Sequence, residues 1–365
     1  MGKLWRIIGG IVALCLVLGA LLAAIGYHYA SRGYPRYDGN VAVPGLASPV
    51  QIYRDRWGVP YVDAASAADL FFAQGYLHAQ DRLWQMEYQR RTGHGRLAEL
   101  MGEPALESDR FFRTIGLSHA AAREWQSLDQ SCRDALQAYA AGVNAFIESH
   151  RSRLPVEFRL LDHQPEPWQP LDSLVWGATL AWSQSIDWRA ELLRARLIAT
   201  LGEARAAELL PTEPDHTPLT LPPNISDYRA LTRLSLPATP DETSWGGNSW
   251  GVAGRLTTSG HPLLASAPHT PLGLPSLWYE VSLHGGGYDV AGFSLPGMPG
   301  VILGHNTHIA WGLTNAAIDT QDLYLERLDP AEPRQYAYRG EWLNLEIHQK
   351  EIAVKGLGLT QLDEV

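Results

Sequence analysis

The apolar positions of this chain change texture along its length. From Ile7 to Tyr27 they form one run without a charged residue, preceded by Lys3 and Arg6. A helix needs roughly 20 such residues to cross a bilayer, so the run is long enough to span one. Ala23-Ala24-Ile25-Gly26 makes a poor cleavage site, so residues 1–30 are read as an uncleaved anchor in preference to a cleaved signal. Either one puts the folded part outside the cytoplasm, in the periplasm or an equivalent space. Residues 31–49 are rich in Gly and Pro and read as a tether into a strand at Val50–Tyr53.

A helical period then takes over. Ser66 and Asp69 have capping-box spacing, and Leu70, Ala73, Leu77, Leu83 and Met86 recur behind them, with Gly102 and Pro104 as the expected stop. Further helices are predicted over 120–149, where Leu136, Tyr139, Ala140, Val143 and Phe146 share a face, and over 174–201. Segment 50–210 is therefore mainly helical. Prolines from Pro211 to Pro240 interrupt any regular element, which marks 211–246 as a linker. Beyond Ser249 short alternating runs predict strands at 250–253, 262–265, 278–283, 288–292, 301–304 and 346–354. Helices first and strands second give an α+β fold class.

Composition narrows the function classes. The chain has 365 residues, 45% of them hydrophobic, enough for a large core. A net charge of −10, with the 29 Lys and Arg scattered, excludes nucleic acid as a partner. Cys15 lies in the apolar run and Cys132 in a polar helical region, so no disulfide joins them. Thirteen His occur without a His-x-x-x-His or His-Glu-x-x-His pair, which weighs against a metal-dependent hydrolase. His78, Gln80, Asp81 and Arg82 crowd one helix and are read as structural, because such groups are commonly satisfied by their neighbours.

The chemistry is carried by motifs in a fixed order: Val50 to Pro60, Gly75 to Met86, Gly95-Arg96-Leu97-Ala98-Glu99, Trp245-Gly246-Gly247-Asn248-Ser249-Trp250, Gly304-His305-Asn306, and Ala310 to Asn315. Together they resemble the penicillin acylase family of N-terminal-nucleophile hydrolases. The resemblance implies an αββα sandwich, two antiparallel sheets between helical layers. It also implies a precursor considerably longer than this chain, of which these residues are the N-terminal part: an alpha-subunit-like segment, a removable spacer, and the start of a beta-subunit-like segment at 247–365. In that family a Ser is both the self-cleavage point and the nucleophile. Here Gly247 stands in its place, with Gly246 and Gly247 flanking the expected cleavage site.

By resemblance, His269 orients the nucleophile and the main-chain N–H of Asn315 completes the oxyanion hole. Ala267 replaces an Asp usual in the family, and Thr270 stands where some relatives place a pocket Phe. Asp319, Gln321 and Asp322 resemble a calcium loop, with Glu191 as a further ligand for which Asp187 competes; carboxylate and carbonyl oxygens are the donors calcium takes. No organic cofactor is implied. The expected function is hydrolysis of the side-chain amide of a small N-acylated substrate, in a chain that Gly247 leaves unprocessed and inactive. The alternative is a membrane-anchored pseudoenzyme that binds acylated ligands or partners. The partners implied are the substrate, the remainder of the precursor and the membrane.

Overall fold

The computed structural model describes residues 2–184, 187–209, 246–270, 272–315 and 320–364. In chain order the helices are Gly2–Ser31 (α1), Ala67–Gly93 (α2), Ala98–Met101 (α3), Leu106–Ile115 (α4), Leu117–Ser127 (α5), Gln130–His150 (α6), Val156–Leu160 (α7), Pro170–Gln184 (α8), Asp187–Leu201 (α9) and Glu203–Leu209 (α10). The strands are Gln51–Arg54 (β1), Pro60–Ala64 (β2), Gly246–Val252 (β3), Leu263–His269 (β4), Tyr279–Gly285 (β5), Tyr288–Ser294 (β6), Leu303–Asn306 (β7), Ala310–Trp311 (β8), Gln335–Tyr338 (β9), Glu341–Asn344 (β10), His348–Val354 (β11) and Gly358–Glu364 (β12). Helices and strands follow the α+β order. They gather into two compact units that interleave along the chain: residues 1–90, 127–173 and 275–309 in the first, and 91–126, 174–274 and 310–365 in the second.

The first unit is built on a sheet in the order β1-β2-β5-β6-β7. All its pairings are antiparallel except β2 with β5, where Tyr61 lies opposite Ser282. Burial alternates along β2 and β5, as one covered face requires. Val62, Val281 and Leu283 from that face pack on Leu70, Ala73 and Leu77 of α2. Tyr76, Ala79, Leu83 and Met86 of α2 face a second core with Tyr139, Val143 and Phe146 of α6 and Trp168. α2 thus buries two stripes, which explains why its apolar residues are spread so widely around the helix. It approaches α6 at a pair of glycines: a Cβ on Gly75 would strike the Tyr139 carbonyl, and one on Gly142 the Phe72 carbonyl.

The capping box forms in a modified way. Ser66 Oγ accepts from Asp69 N at 3.1 Å and donates to Asp69 Oδ2 at 2.8 Å, while Asp69 Oδ1 takes the N–H of Ala47 at 2.8 Å. The acid therefore ties the tether to the helix start. α2 stops at Gly93, short of the expected Gly102, because the next turn has a tighter route. Arg96 N bonds the Arg91 carbonyl at 2.8 Å across Gly95, whose φ of +61° suits glycine. The helix expected over 120–149 is two helices, α5 and α6, divided where Asp129 caps α6 by accepting Cys132 N at 2.8 Å. No residue of α1 is buried, and it is long and apolar enough to cross a membrane, a property shared by signal sequences near an N-terminus. Both cysteines are free.

In the second unit the fully buried Asp109 accepts from Leu97 N at 2.8 Å and Ala98 N at 2.7 Å, capping α3. Burial pushes its carboxyl above the usual range against the pull of those N–H groups. Glu99 behaves oppositely. Burial favours its neutral form, yet hydrogen bonds and charge from Arg96 and Arg91 outweigh burial and hold its pKa down. Leu97, Ala98 and Ala105 pack on Ile352 and Val354 of β11, which hairpins with β12.

Candidate functional site

The residues singled out around Gly247 meet in the second unit. β3 begins at Gly246, ahead of the apolar run that predicts it, because it pairs antiparallel with β4 over its whole length. The register places Gly246 opposite His269 and Gly247 opposite Pro268. Asn248 Nδ2 lies 3.4 Å from His269 Nε2, an exposed contact. A third stretch of chain closes in: a Cβ built on Gly247 would stand 2.7 Å from Thr314 Oγ1, 3.2 Å from the Ala267 carbonyl oxygen and 3.4 Å from Pro268 Cα. The space a side chain at 247 needs is therefore filled by a threonine hydroxyl.

Residues 312–315 are held against β4 by one side chain. Ser266 Oγ donates to the Leu313 carbonyl at 2.8 Å and accepts from Leu313 N at 3.0 Å. A Cβ on Gly312 would meet Ser266 Cβ and Oγ, so glycine is what permits the close approach. Asn315 is half-buried and its Nδ2 reaches the Gln184 carbonyl at 3.5 Å. Thr314 and Ser266 escape sequence reading, since their contacts depend on strand register. A hydroxyl on an otherwise apolar strand is the one signal that points to Ser266.

The acidic residues are less compact. Glu191 Oε2 accepts from Leu323 N at 2.7 Å, which brings α9 to the segment carrying Gln321 and Asp322. Gln321 Oε1 is buried with no hydrogen-bond partner among the described residues. Asp322 is exposed and its Oδ2 meets Tyr324 Oη at 3.4 Å. Asp319 lies outside the described residues, as does the side chain of Asp187. Among the described residues no three His, Cys, Asp or Glu side chains gather as a metal site. The oxygen donors present are nonetheless of the kind a hard cation takes.

His78 and its neighbours have structural partners. His78 is fully buried; its Nδ1 lies 2.7 Å from Tyr139 Oη and its Nε2 3.0 Å from Ser294 Oγ. Gly297 N donates to Tyr139 Oη at 2.9 Å and Ser294 Oγ donates to the Tyr279 carbonyl at 2.8 Å. Those roles leave Tyr139 donating to Nδ1 and Nε2–H donating to Ser294, a neutral imidazole. Burial, with Arg82 adding to it, lowers the His78 pKa to about 3. Asp81 pairs with Arg54 at 2.9 Å and accepts from Tyr279 Oη at 2.6 Å.

Gly247 is thus set into a strand, with His269 on the partner strand and Thr314 beside it. Residues 49–362 match the family described as penicillin amidase. The chain belongs to that family. It is 34% identical over 336 residues to the penicillin acylase 2 proenzyme of Pseudomonas sp. (strain SE83), covering 88% of this chain and 43% of that protein. It is 34% identical over 343 residues to the acyl-homoserine lactone acylase QuiP of Pseudomonas aeruginosa, covering 88% and 40%. To penicillin G acylase of Escherichia coli it is 28% identical over 379 residues, covering 86% and 45%. The chain thus spans less than half the length of each of these relatives. A solved structure of the thermostable penicillin G acylase from Alcaligenes faecalis aligns with a TM-score of 0.41 and 32% identity, over 48% of this chain and 98% of that one.

Proposed function

We propose that this chain is part of the precursor of a penicillin acylase-type amidohydrolase, folded as an αββα sandwich and halted before maturation because Gly247 has no hydroxyl. The observation that carries the reading is the convergence of Gly247, Pro268-His269 and Thr314-Asn315 in a chain of this family. In a copy with Ser at 247, its oxygen would attack the preceding carbonyl, and breakage of the 246–247 bond would free an α-amine. That amine, with a reference pKa of about 7.7–8.0, then takes the hydroxyl proton during attack on a substrate amide. His269 orients the nucleophile and the N–H of Asn315 stabilises the oxyanion, a role independent of its side chain. The substrate is a small N-acylated amide, and the acid is released by water from an acyl-enzyme. The remainder of the precursor is the partner that completes the site, and α1 anchors the whole in the membrane with the catalytic part in the periplasm.

The test is Gly247→Ser in the full-length protein, read by intact mass and by turnover of chromogenic phenylacetyl and fatty-acyl amides. Cleavage after Gly246 with turnover is expected. The contact between Thr314 Oγ1 and the space beside Gly247 favours a second reading, a pseudoenzyme that binds acylated ligands without hydrolysing them; absence of any cleavage in the Ser variant would select it.

We further infer a structural calcium ion held by Glu191, Asp319, Gln321 and Asp322. The buried, unpartnered Gln321 Oε1 and the tie between Glu191 and Leu323 support it. The ion would join α9 to the segment after Asn315 and play no part in proton transfer. A ligand that binds only the folded state raises its stability, so chelation should lower the melting temperature and Asp322→Ala should abolish that sensitivity. An unchanged melting temperature on chelation would withdraw the ion and leave the acylase reading standing.

A further inference from the structure

The tether of the first unit is not a free linker. Ala47 N is bonded to the buried Asp69, Gln80 Nε2 donates to the Arg36 carbonyl at 3.0 Å, and the Arg54 guanidinium lies 4.3 Å above the Tyr37 ring. Pinned this way, residues 36–50 roof a cavity of about 400 Å³ over β1 and the first half of α2. Its back wall is Phe72, Ala73, Tyr76 and Leu77, all buried, and Val43 and Leu46 flank it. The polar lining residues Arg36, Tyr37, Arg54 and Gln80 are linked to one another, and Asp38 and Asn40 follow in the chain.

We propose that this cavity is a binding site for a single lipid acyl chain, a function that does not depend on Gly247. The volume is that of a small-molecule site, and an apolar back wall beside a linked polar cluster suits an amphiphile with its chain on the wall and its polar end at the cluster. The polar cluster does not select a charge. Arg54 is neutralised by Asp81 at 2.9 Å, Gln80 is engaged at both ends, and the lining carries one further residue of each sign, Arg36 and Asp38. Recognition therefore lies in the chain and not in the headgroup. The supply follows from position. α1 ends at Ser31, five residues before Arg36. Five residues reach no more than roughly 18 Å, so when α1 spans a bilayer Arg36 and the polar cluster it belongs to stay near the headgroup layer.

The test uses the full chain in phosphatidylcholine nanodiscs with two photoreactive probes. One arm carries free palmitic acid bearing a diazirine, the other phosphatidylcholine bearing the same tagged chain; peptides are mapped after irradiation. Label on the segments 41–46 and 72–77 is expected in at least one arm, and the arm tells whether a free fatty acid or a membrane lipid supplies the chain. Leu46→Trp and Val43→Trp should each cut that label by about five-fold or more, because a filled interior has no room for a second occupant. Label on α1 serves as the internal reference and circular dichroism checks the fold. Label confined to α1 in both arms would overturn the proposal, as would undiminished label at 72–77 in both Trp variants. If neither variant folds, the distribution of label in the unmodified chain still decides.

Discussion

At the scale of single residues, the site turns on one missing side chain and the hydroxyl that occupies its space. Gly247→Ala adds only a methyl group, yet that methyl meets Thr314 Oγ1 at 2.7 Å. We expect the variant to lose about 1 kcal/mol in urea unfolding, at the lower end of overpacking costs. In a Thr314→Ala background the same change should cost markedly less, because the 2.7 Å contact is gone and only the 3.2 Å approach to the Ala267 carbonyl oxygen offsets the gain from replacing a strand glycine. A cycle with no coupling between the two positions would show that Thr314 does not crowd Gly247. Gly247 and His269 could be singled out in the sequence because short contiguous motifs carry them, and the structure pairs their strands. Thr314 could not, since its contact arises only once β3 and β4 are in register and Ser266 has drawn residues 312–315 alongside.

At the scale of elements, α2 joins sequence to architecture most directly. Its apolar recurrence and its capping-box spacing were readable in the sequence, whereas the division of those apolar residues into two stripes and the packing of one of them on α6 were not. Its end at Gly93 was not, because that stop depends on the Arg96-to-Arg91 bond and not on a breaker further on. The same helix carries a pH liability. His78 has a folded pKa of about 3 against an ordinary 6.5. As pH falls below 6.5 the unfolded chain takes up a proton that the folded chain refuses, so stability is full above that value and drains away toward 3. The slope from this one group is about 1.4 kcal/mol per pH unit. Urea unfolding at pH 7 and pH 5 should show the loss, and His78→Gln should flatten the slope whatever it does to absolute stability. An identical slope in the variant would mean that His78 is protonated in the folded state.

At the scale of the whole molecule, two units and an exposed apolar helix must be reconciled with relatives of more than twice the length. The α+β class was legible because the change from helical to alternating pattern coincides with a change of element type. The interleaving of the units was not, since β5 to β7 join strands from residues 51–64 across more than two hundred positions of chain. The exposed α1 leads us to expect that the chain floats with phosphatidylcholine vesicles in a sucrose gradient, and that deletion of residues 2–31 leaves it at the bottom. Flotation by the shortened form would place the membrane contact elsewhere, and mature protein lacking residues 1–30 would identify α1 as a cleaved signal.

The pairing of β3 with β4 has a consequence for how this chain can be rescued. Foreign proteases accept a substrate only after several residues on each side of the cut peel away from their neighbours. The 246–247 bond lies between the first two rungs of the β3–β4 ladder, where Gly246 faces His269 and Gly247 faces Pro268. A protease acting from outside must therefore open β3 to reach it, and a cut made before Gly246 leaves an overhang that separates any new amine from position 247. A cut at this junction from outside therefore waits on the parting of β3 from β4.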